Sequence, residues 1–357
     1  MHDKLLTEVK YENNDKSDLY HDNQSDGSNN NYQTKKNHIV VTMTFTEDVL
    51  PIIKKLVSQN VDITLLYHPK YNDVVNKQLN YDNITAIPLN NKYVIQHIRA
   101  VKRAKVVLID TYYLMFGAIT KQKEQEVIQI WHASSALKRF GLEDRSVDLS
   151  NNKMVNQYKR VYDFTDSYIV AGDNMIDIFK QSLNATHKHF IKTGLPRLEY
   201  SEVPQSEGDA VLFVPTYRDY TLKESDKLTH RDIKHLLIRA HPSDNNYKTD
   251  HEISHLSLDE CMNLANIIIT DYSSLAVEAL YKGKRVLLYV PDEAAYDAAR
   301  GLNQYYYALP ANLKAYTVED LQDKLSSIER ININGWTNYQ TNDATDDIVH
   351  YIKEQLS

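Results

Sequence analysis

Short, continuous aliphatic runs recur along the chain: "HIVVTMTF" (38–45), "DITLLY" (62–67), "ITAIPL" (84–89), "KVVLID" (105–110), "EVIQIW" (126–131) and "SYIVAG" (167–172). Runs of this kind predict strands buried on both faces. Between them the apolar residues move to helical spacing. "TEDVLPIIKKLVSQ" predicts a helix capped by Thr46 or Asp48, "YVIQHIRAVKRA" predicts another, and a third starts near Asp173. After "GLPR" (194–197) and a polar linker, "LEYSEVPQSEGD", the alternation restarts. Its strands are "AVLFVP" (210–215), "HLLIRA" (235–240), "NIIIT" (266–270) and "RVLLYV" (285–290), and two helices close the chain, "TVEDLQDKLSSIER" and 343–354. Strand–helix alternation predicts an α/β fold with mostly parallel sheets and helices on both faces. Two such units in tandem predict two Rossmann-like domains facing each other across a cleft, with ligands beyond the carboxyl ends of the strands. Residues from about Tyr11 to Asn37 are rich in Asn, Asp, Ser and Lys and have too few aliphatic residues to offset ordering entropy. The expected division is a disordered tail (1–37), a first domain (38–200) and a second (201–357).

Composition narrows the function. Apolar residues make up 42% and charged residues 25%, the balance of a soluble globular protein. A net charge of -7 argues against generic nucleic-acid binding and leaves room for a local cationic site. The lone Cys261 excludes a disulfide framework or a cysteine zinc site within the chain. No apolar stretch approaches the roughly 18 residues of a bilayer span, and the N-terminus lacks a secretory core. The expected location is the cytoplasm.

Candidate chemistry gathers at strand ends. "TDYSSLAVEALYKG" (270–283) runs from a buried strand into a helix that stops at Gly283. Its "DYSS" turn offers two hydroxyls and free backbone N–H groups to an anion; the plainer reading is a helix cap at Ser273 or Ser274. "QIWHASSALKRFG" (129–141) places His132 directly after a strand, with Ser134, Ser135, Lys138 and Arg139 behind it. A histidine there suits proton transfer near neutral pH, and the cations suit an anionic substrate. "RAHPSD" adds His241, "FVPTYRDY" adds Thr216, Tyr217, Arg218 and Asp219, "YDAARGLN" adds Arg300 and "GLPR" adds Arg197. Together they suit phosphate or pyrophosphate chemistry without a metal. "HEISH" (251–255) spells His-Glu-x-x-His, the spacing of a zinc protease, but zinc catalysis is the minor reading beside the strand-end cations and hydroxyls, and no Gly-x-Ser-x-Gly nucleophile turn is present.

"WHASSALKRFGL", "VPTYRD", "RAHP", "TDYSSLAVEA" and "RGLN", in this order, resemble the CDP-glycerol glycerophosphotransferase family of wall teichoic acid synthesis. The resemblance runs from residue 38 to about 355. Polymerases of the family usually read Trp-His-Gly-Thr-Pro-Leu-Lys at the first motif, whereas Ala-Ser-Ser-Ala-Leu-Lys follows Trp131 and His132 here. That departure, with a compact chain, looks like the glycerol-phosphate primase branch.

The resemblance implies a GT-B-like fold. It implies a CDP-glycerol donor on the second domain, and an undecaprenyl-diphosphate-linked ManNAc–GlcNAc acceptor reached from the first at the inner membrane surface. No cofactor is implied. Carried over, His132 is the general base and His241 contacts the diphosphate as CMP leaves; the reverse assignment fits the sequence as well. Ser273 and Ser274 hold the diphosphate, with Asp271 in the same turn. Arg218, Arg300, Lys138 and Thr216 complete the donor site, and Glu278 accepts ribose or glycerol hydroxyls. Two amphipathic helices, at 49–57 and 93–105, are candidates for membrane contact, the second better placed through its cationic end; core packing is the plainer reading of both. The competing functions are a glycerol- or ribitol-phosphate polymerase and a non-catalytic scaffold binding phosphorylated carriers among other wall-synthesis enzymes.

Overall fold

The computed structural model describes residues 35–199, 209–240, 244, 246–247, 253, 256–327 and 332–357. The expected tail up to residue 34, most of the expected linker, and His241 lie outside the described residues.

The first seven strands are β1 (Lys35–Met43), β2 (Asp62–Tyr67), β3 (Ile84–Pro88), β4 (Ala104–Ile109), β5 (Glu126–Gln129), β6 (Ser167–Ile169) and β7 (His189–Ile191). They form one sheet in the order β3-β2-β1-β4-β5-β6-β7. β8 (Val211–Phe213), β9 (Leu236–Ile238), β10 (Ile267–Thr270), β11 (Arg285–Tyr289) and β12 (Lys314–Ala315) form a second, in the order β12-β11-β10-β8-β9. The ladders of both sheets are parallel, as the alternation predicts. Ile39, Val40 and Val41 of β1 have no exposed surface, because helices cover both faces.

Strand order reverses between β1 and β4 in the first sheet, and between β8 and β10 in the second. Chains leaving adjacent strands at such a point diverge and open a crevice. The loops after β1, β4, β5, β8, β10 and β11 carry the candidate site.

The helix Val49–Ser58 buries Val49, Ile52, Ile53 and Leu56, a stripe at helical spacing. Asp48 does not cap it. Its carboxylate instead accepts from the Arg197 backbone N–H (3.0 Å) and Nε (2.7 Å), because a buried guanidinium needs a counter-charge. The Thr46 carbonyl accepts from Leu50 N–H at 2.9 Å.

The last helix, Ala344–Leu356, does not stay with the second sheet, as the 201–357 boundary expects. Its Ile348, Val349, Ile352 and Leu356 join Ile39, Val41 and Ile52 in the core of the first unit, and Asp346 pairs with Lys55 at 2.5 Å. The crossing needs a glycine at 172, where a Cβ would lie 2.3 Å from the Trp336 carbonyl carbon.

Candidate active site

The first wall is built around Asp110, immediately after β4. Its buried carboxylate accepts from Thr42 Oγ1 (2.9 Å), Tyr113 OH (2.6 Å) and the backbone N–H groups of Thr44 and Phe45. Burial pushes this carboxyl above its usual range, against the pull of those donors. Its own backbone carbonyl accepts from His132 Nδ1 at 2.9 Å. A carbonyl only accepts, so Nδ1 carries the proton and the lone pair of the neutral ring is on Nε2.

Both flanks of His132 are aromatic. Phe45 stacks on it with centroids 4.3 Å apart, and Trp131 lies at 4.3 Å. Trp131 has φ +66°, a left-handed conformation costing about 1–3 kcal/mol outside glycine. Gln129 holds that turn, accepting from Trp131 N–H at 2.8 Å and donating to the Thr111 carbonyl at 3.1 Å. The strained turn sets the direction in which His132 leaves the strand.

Burial pulls His132 from its usual 6.5 down to about 3, partly offset by the Asp110 carbonyl; the Arg197 and Lys138 charges lower it further. The ring is thus an unprotonated base at neutral pH. The sign for stability follows. Between pH 6.5 and 3 the unfolded chain binds the proton that folded His132 refuses, so stability falls as pH drops through that window. Thermal denaturation at pH 7 and 4 should show a smaller loss for His132→Gln than for the parent.

A cavity of about 190 Å³ opens in front of His132, lined also by Ser135, Lys138, Tyr272, Ser273 and Ser274. Ser135 Oγ donates to the Ser274 carbonyl at 3.3 Å and joins the two walls. Ser273 Oγ accepts from Leu275 N–H at 3.2 Å, while Ser274, at the N-cap itself, makes no side-chain capping bond. The Lys138 ammonium makes no hydrogen bond or ion pair with any described residue. Burial lowers its pKa, while the Asp271 carboxylate works the other way.

The second wall rests on a buried ion network. Asp271 accepts from Thr216 N–H and Oγ1 and from Tyr272 N–H. Arg218 bridges Asp271 (2.8 Å) and Asp292 (Nε, 2.6 Å), and Tyr272 OH donates to Asp292 at 2.9 Å. Burial opposes the Arg218 charge, but the two carboxylates overcome it and raise its pKa. Thr216, Arg218 and Asp271 therefore fix the "DYSS" turn from beneath.

Arg300 and Glu278 stand apart from the cavity. Arg300 pairs with Asp219 at 3.0 Å. Glu278 is buried 3.3 Å from Lys282 and 3.9 Å from Arg197 across the unit boundary, and burial pushes its carboxyl up. His241 is outside the described residues. Among the described residues, no three or more His, Cys, Asp or Glu cluster as metal ligands.

The "RGLN" stretch straps the His132 loop to the second unit. The Gly301 carbonyl accepts from Arg139 N–H at 2.9 Å, and Asn303 donates through Nδ2 to the Ala136 carbonyl (2.7 Å) and through its N–H to the Leu137 carbonyl (3.1 Å).

Asp110, Phe45 and Asp292 are absent from the sequence-based site. Each follows a strand that the apolar pattern predicts, so the strand-end rule itself was the available signal. Asp110→Asn turns one oxygen into a donor facing donors. The expected result is a lower Tm and a kcat reduced about 10²-fold through displacement of His132, with the donor KM unchanged. Steady-state kinetics beside a melting curve checks both.

Comparison with known proteins agrees with this architecture. The chain is 36% identical over 350 residues to a teichoic acid glycerol-phosphate primase of Staphylococcus aureus, covering 90% of this chain and 93% of the relative. It is 27% identical over 310 residues to the primase of Bacillus subtilis, covering 78% and 81%. The solved wall teichoic acid polymerase TagF superposes with a TM-score of 0.68 at 16% identity, over 90% of each chain, which shows the GT-B-like fold. The profile of the family described as CDP-Glycerol:Poly(glycerophosphate) glycerophosphotransferase matches residues 33–345. On these grounds the chain belongs to the CDP-glycerol:poly(glycerophosphate) glycerophosphotransferase family and is a transferase of that class.

Proposed function

We propose that this chain is a teichoic acid primase, moving one glycerol phosphate from CDP-glycerol to an undecaprenyl-diphosphate-linked ManNAc–GlcNAc disaccharide. The observation that carries the mechanism is the neutral His132, its Nε2 lone pair fixed by the Asp110 carbonyl, beside a cavity walled opposite by Ser273 and Ser274. The acceptor hydroxyl oxygen bonds to the donor's β-phosphorus, and its proton passes to His132 Nε2. The phosphoanhydride bond breaks, and CMP leaves with the electron pair. Ser273, Ser274 and Lys138 meet the diphosphate directly. Its negative charge raises the low pKa of His132 as the donor enters, which makes the ring a better base. Thr216, Arg218 and Asp271 serve the donor by holding the turn. Glu278 and Arg300 serve its ribose, glycerol or charge once their present ion pairs open, and His241 contacts the leaving phosphate.

The second unit holds the donor and the first faces the acceptor. The lipid anchor of that acceptor places the enzyme at the inner membrane surface. Among the described residues no helix is long and apolar enough to cross a membrane. The helix Val94–Arg103 supports surface contact: Ile95 is 62% exposed, and Arg99 and Arg103 are exposed on the same segment. Co-sedimentation with anionic vesicles should weaken about fivefold or more in Arg99→Glu, at about 1 kcal/mol per cation.

The test of the function counts glycerol phosphates per acceptor by mass spectrometry, using CDP-glycerol and a short-chain lipid-linked disaccharide. A single addition is expected. A ladder of products makes the chain a polymerase.

A further inference from the structure

A second cavity, of about 420 Å³, lies where the chain crosses between the two units, lined by Asn174, Tyr305, Leu309, Asn312, Asn332 and Trp336 among others. No charged side chain among the described residues lines it. The cavity beside the helix Val49–Ser58 differs, being walled by Lys54, Lys55, Glu199, Asp343 and Asp346. An uncharged wall cannot offset a phosphate, so the occupant is neutral.

Trp336 and Tyr305 meet edge to face at 5.2 Å, and the Tyr305 hydroxyl is anchored on Asp177 at 3.0 Å. Aromatic surface of this kind suits the C–H face of a sugar ring. The Asn174 and Asn312 amides, with the Asn332 amide whose Oδ1 already accepts from Asn334 N–H at 2.8 Å, bring donors and acceptors that complement hydroxyl and acetamido groups. The volume falls in the range of small-ligand pockets.

Position ties this groove to the catalytic loop. Asn303 bonds to Ala136 and Leu137 beside His132, and its Oδ1 accepts from Tyr305 and Tyr306 N–H, both at 3.1 Å, at the start of the helix Gln304–Tyr307. That helix is about 6 Å long and ends at the groove. Its length is close to that of one sugar unit.

From the lining and this linkage, we infer that the groove is the binding subsite for the neutral, N-acetylated sugar portion of the acceptor. The inference rests on the transferase reading for its role but not for its binding chemistry. The groove holds the glycan so that its reacting hydroxyl reaches the His132 cavity.

The chain has two tryptophans, Trp131 and Trp336, so its two indole N–H signals report the two cavities separately. Full-length protein is titrated with the methyl glycoside of the ManNAc–GlcNAc disaccharide and followed by ¹H–¹⁵N NMR. Trp131→Phe assigns the signals. The Trp336 signal should shift, in His132→Ala as in the parent, and Leu309→Arg and the gentler Asn312→Asp should weaken binding about tenfold or more. In turnover, Leu309→Arg should raise the acceptor KM by a similar factor and leave the CDP-glycerol KM unchanged. A Trp336 shift without any glycerol phosphate transfer overturns the functional reading and leaves the groove in place. Normal transfer overturns the groove if the Trp336 signal does not move, or if acceptor KM is unchanged in both variants.

Discussion

His132→Ala is expected to lower kcat about 10²- to 10⁴-fold while CDP-glycerol still binds. The ring is held by the Asp110 carbonyl and by stacking on Phe45 and Trp131, contacts that orient it without making it part of the donor's phosphate wall. Removing it deletes the proposed proton acceptor and leaves Ser273, Ser274 and Lys138 in place. Calorimetric titration with CDP-glycerol should give an affinity within a few-fold of the parent, while radiolabel transfer collapses. His132→Asn should fail similarly, since an amide has no lone pair of comparable basicity. A variant that keeps most of its turnover would move the base elsewhere, with His241 next in line.

Arg218→Met is expected to cost about 3–5 kcal/mol of stability and to abolish transfer. The substitution keeps much of the buried volume but strands Asp271 and Asp292, both buried and both paired to this one guanidinium. Asp292 now has a lowered pKa because the Arg218 pairing outweighs burial. It therefore contributes stability above the ordinary carboxylate pKa, which is lost as pH falls through its folded value. Without the cation, only the Tyr220 and Tyr272 hydroxyls oppose burial, and the Asp292 carboxyl shifts up. The variant's deficit should then be largest at neutral pH and narrow on acidification, as protonation relieves the buried charge. Melting curves of both proteins at pH 7 and 5 measure this. Arg218→Lys should not rescue, because an ammonium cannot reproduce the forked contact with Asp292. An equal deficit at both pH values would separate Arg218 from these carboxylates.

The strands and the cleft were legible because buried parallel strands write themselves as continuous aliphatic runs, and β1, β2 and β10 are of that kind. β12 has only two residues, and β7 (His189–Ile191) buries only Ile191, so neither leaves such a run. The helix Asn152–Phe164 was missed because its sequence, "NKMVNQYKRVYDF", is mostly polar and buries only Val161, Tyr162 and Phe164. The last helix was legible as a helix but not in its destination, since an apolar stripe does not say which sheet it will cover.

The site divides the same way. His132, Lys138, Ser273 and Ser274 share one cavity because they follow β5 and β10 at the carboxyl ends of the two sheets, near their switch points. Arg218 read as a substrate contact because sequence shows a cation and not its future partners. Asp292, 74 positions downstream, reaches it only through the order of β8, β10 and β11. Asp48 read as a cap for the same reason, its partner Arg197 being 149 positions away.

The most direct test of the central claim follows phosphorus. CDP-glycerol and the lipid-linked disaccharide analogue are mixed with the full-length protein and watched by ³¹P NMR. Transfer requires the paired diphosphate resonances to give way, one for one, to the monoester of CMP and a new phosphodiester, and only when the acceptor is present. Growth of glycerol phosphate as a monoester, or an unchanged diphosphate with acceptor present, would contradict it.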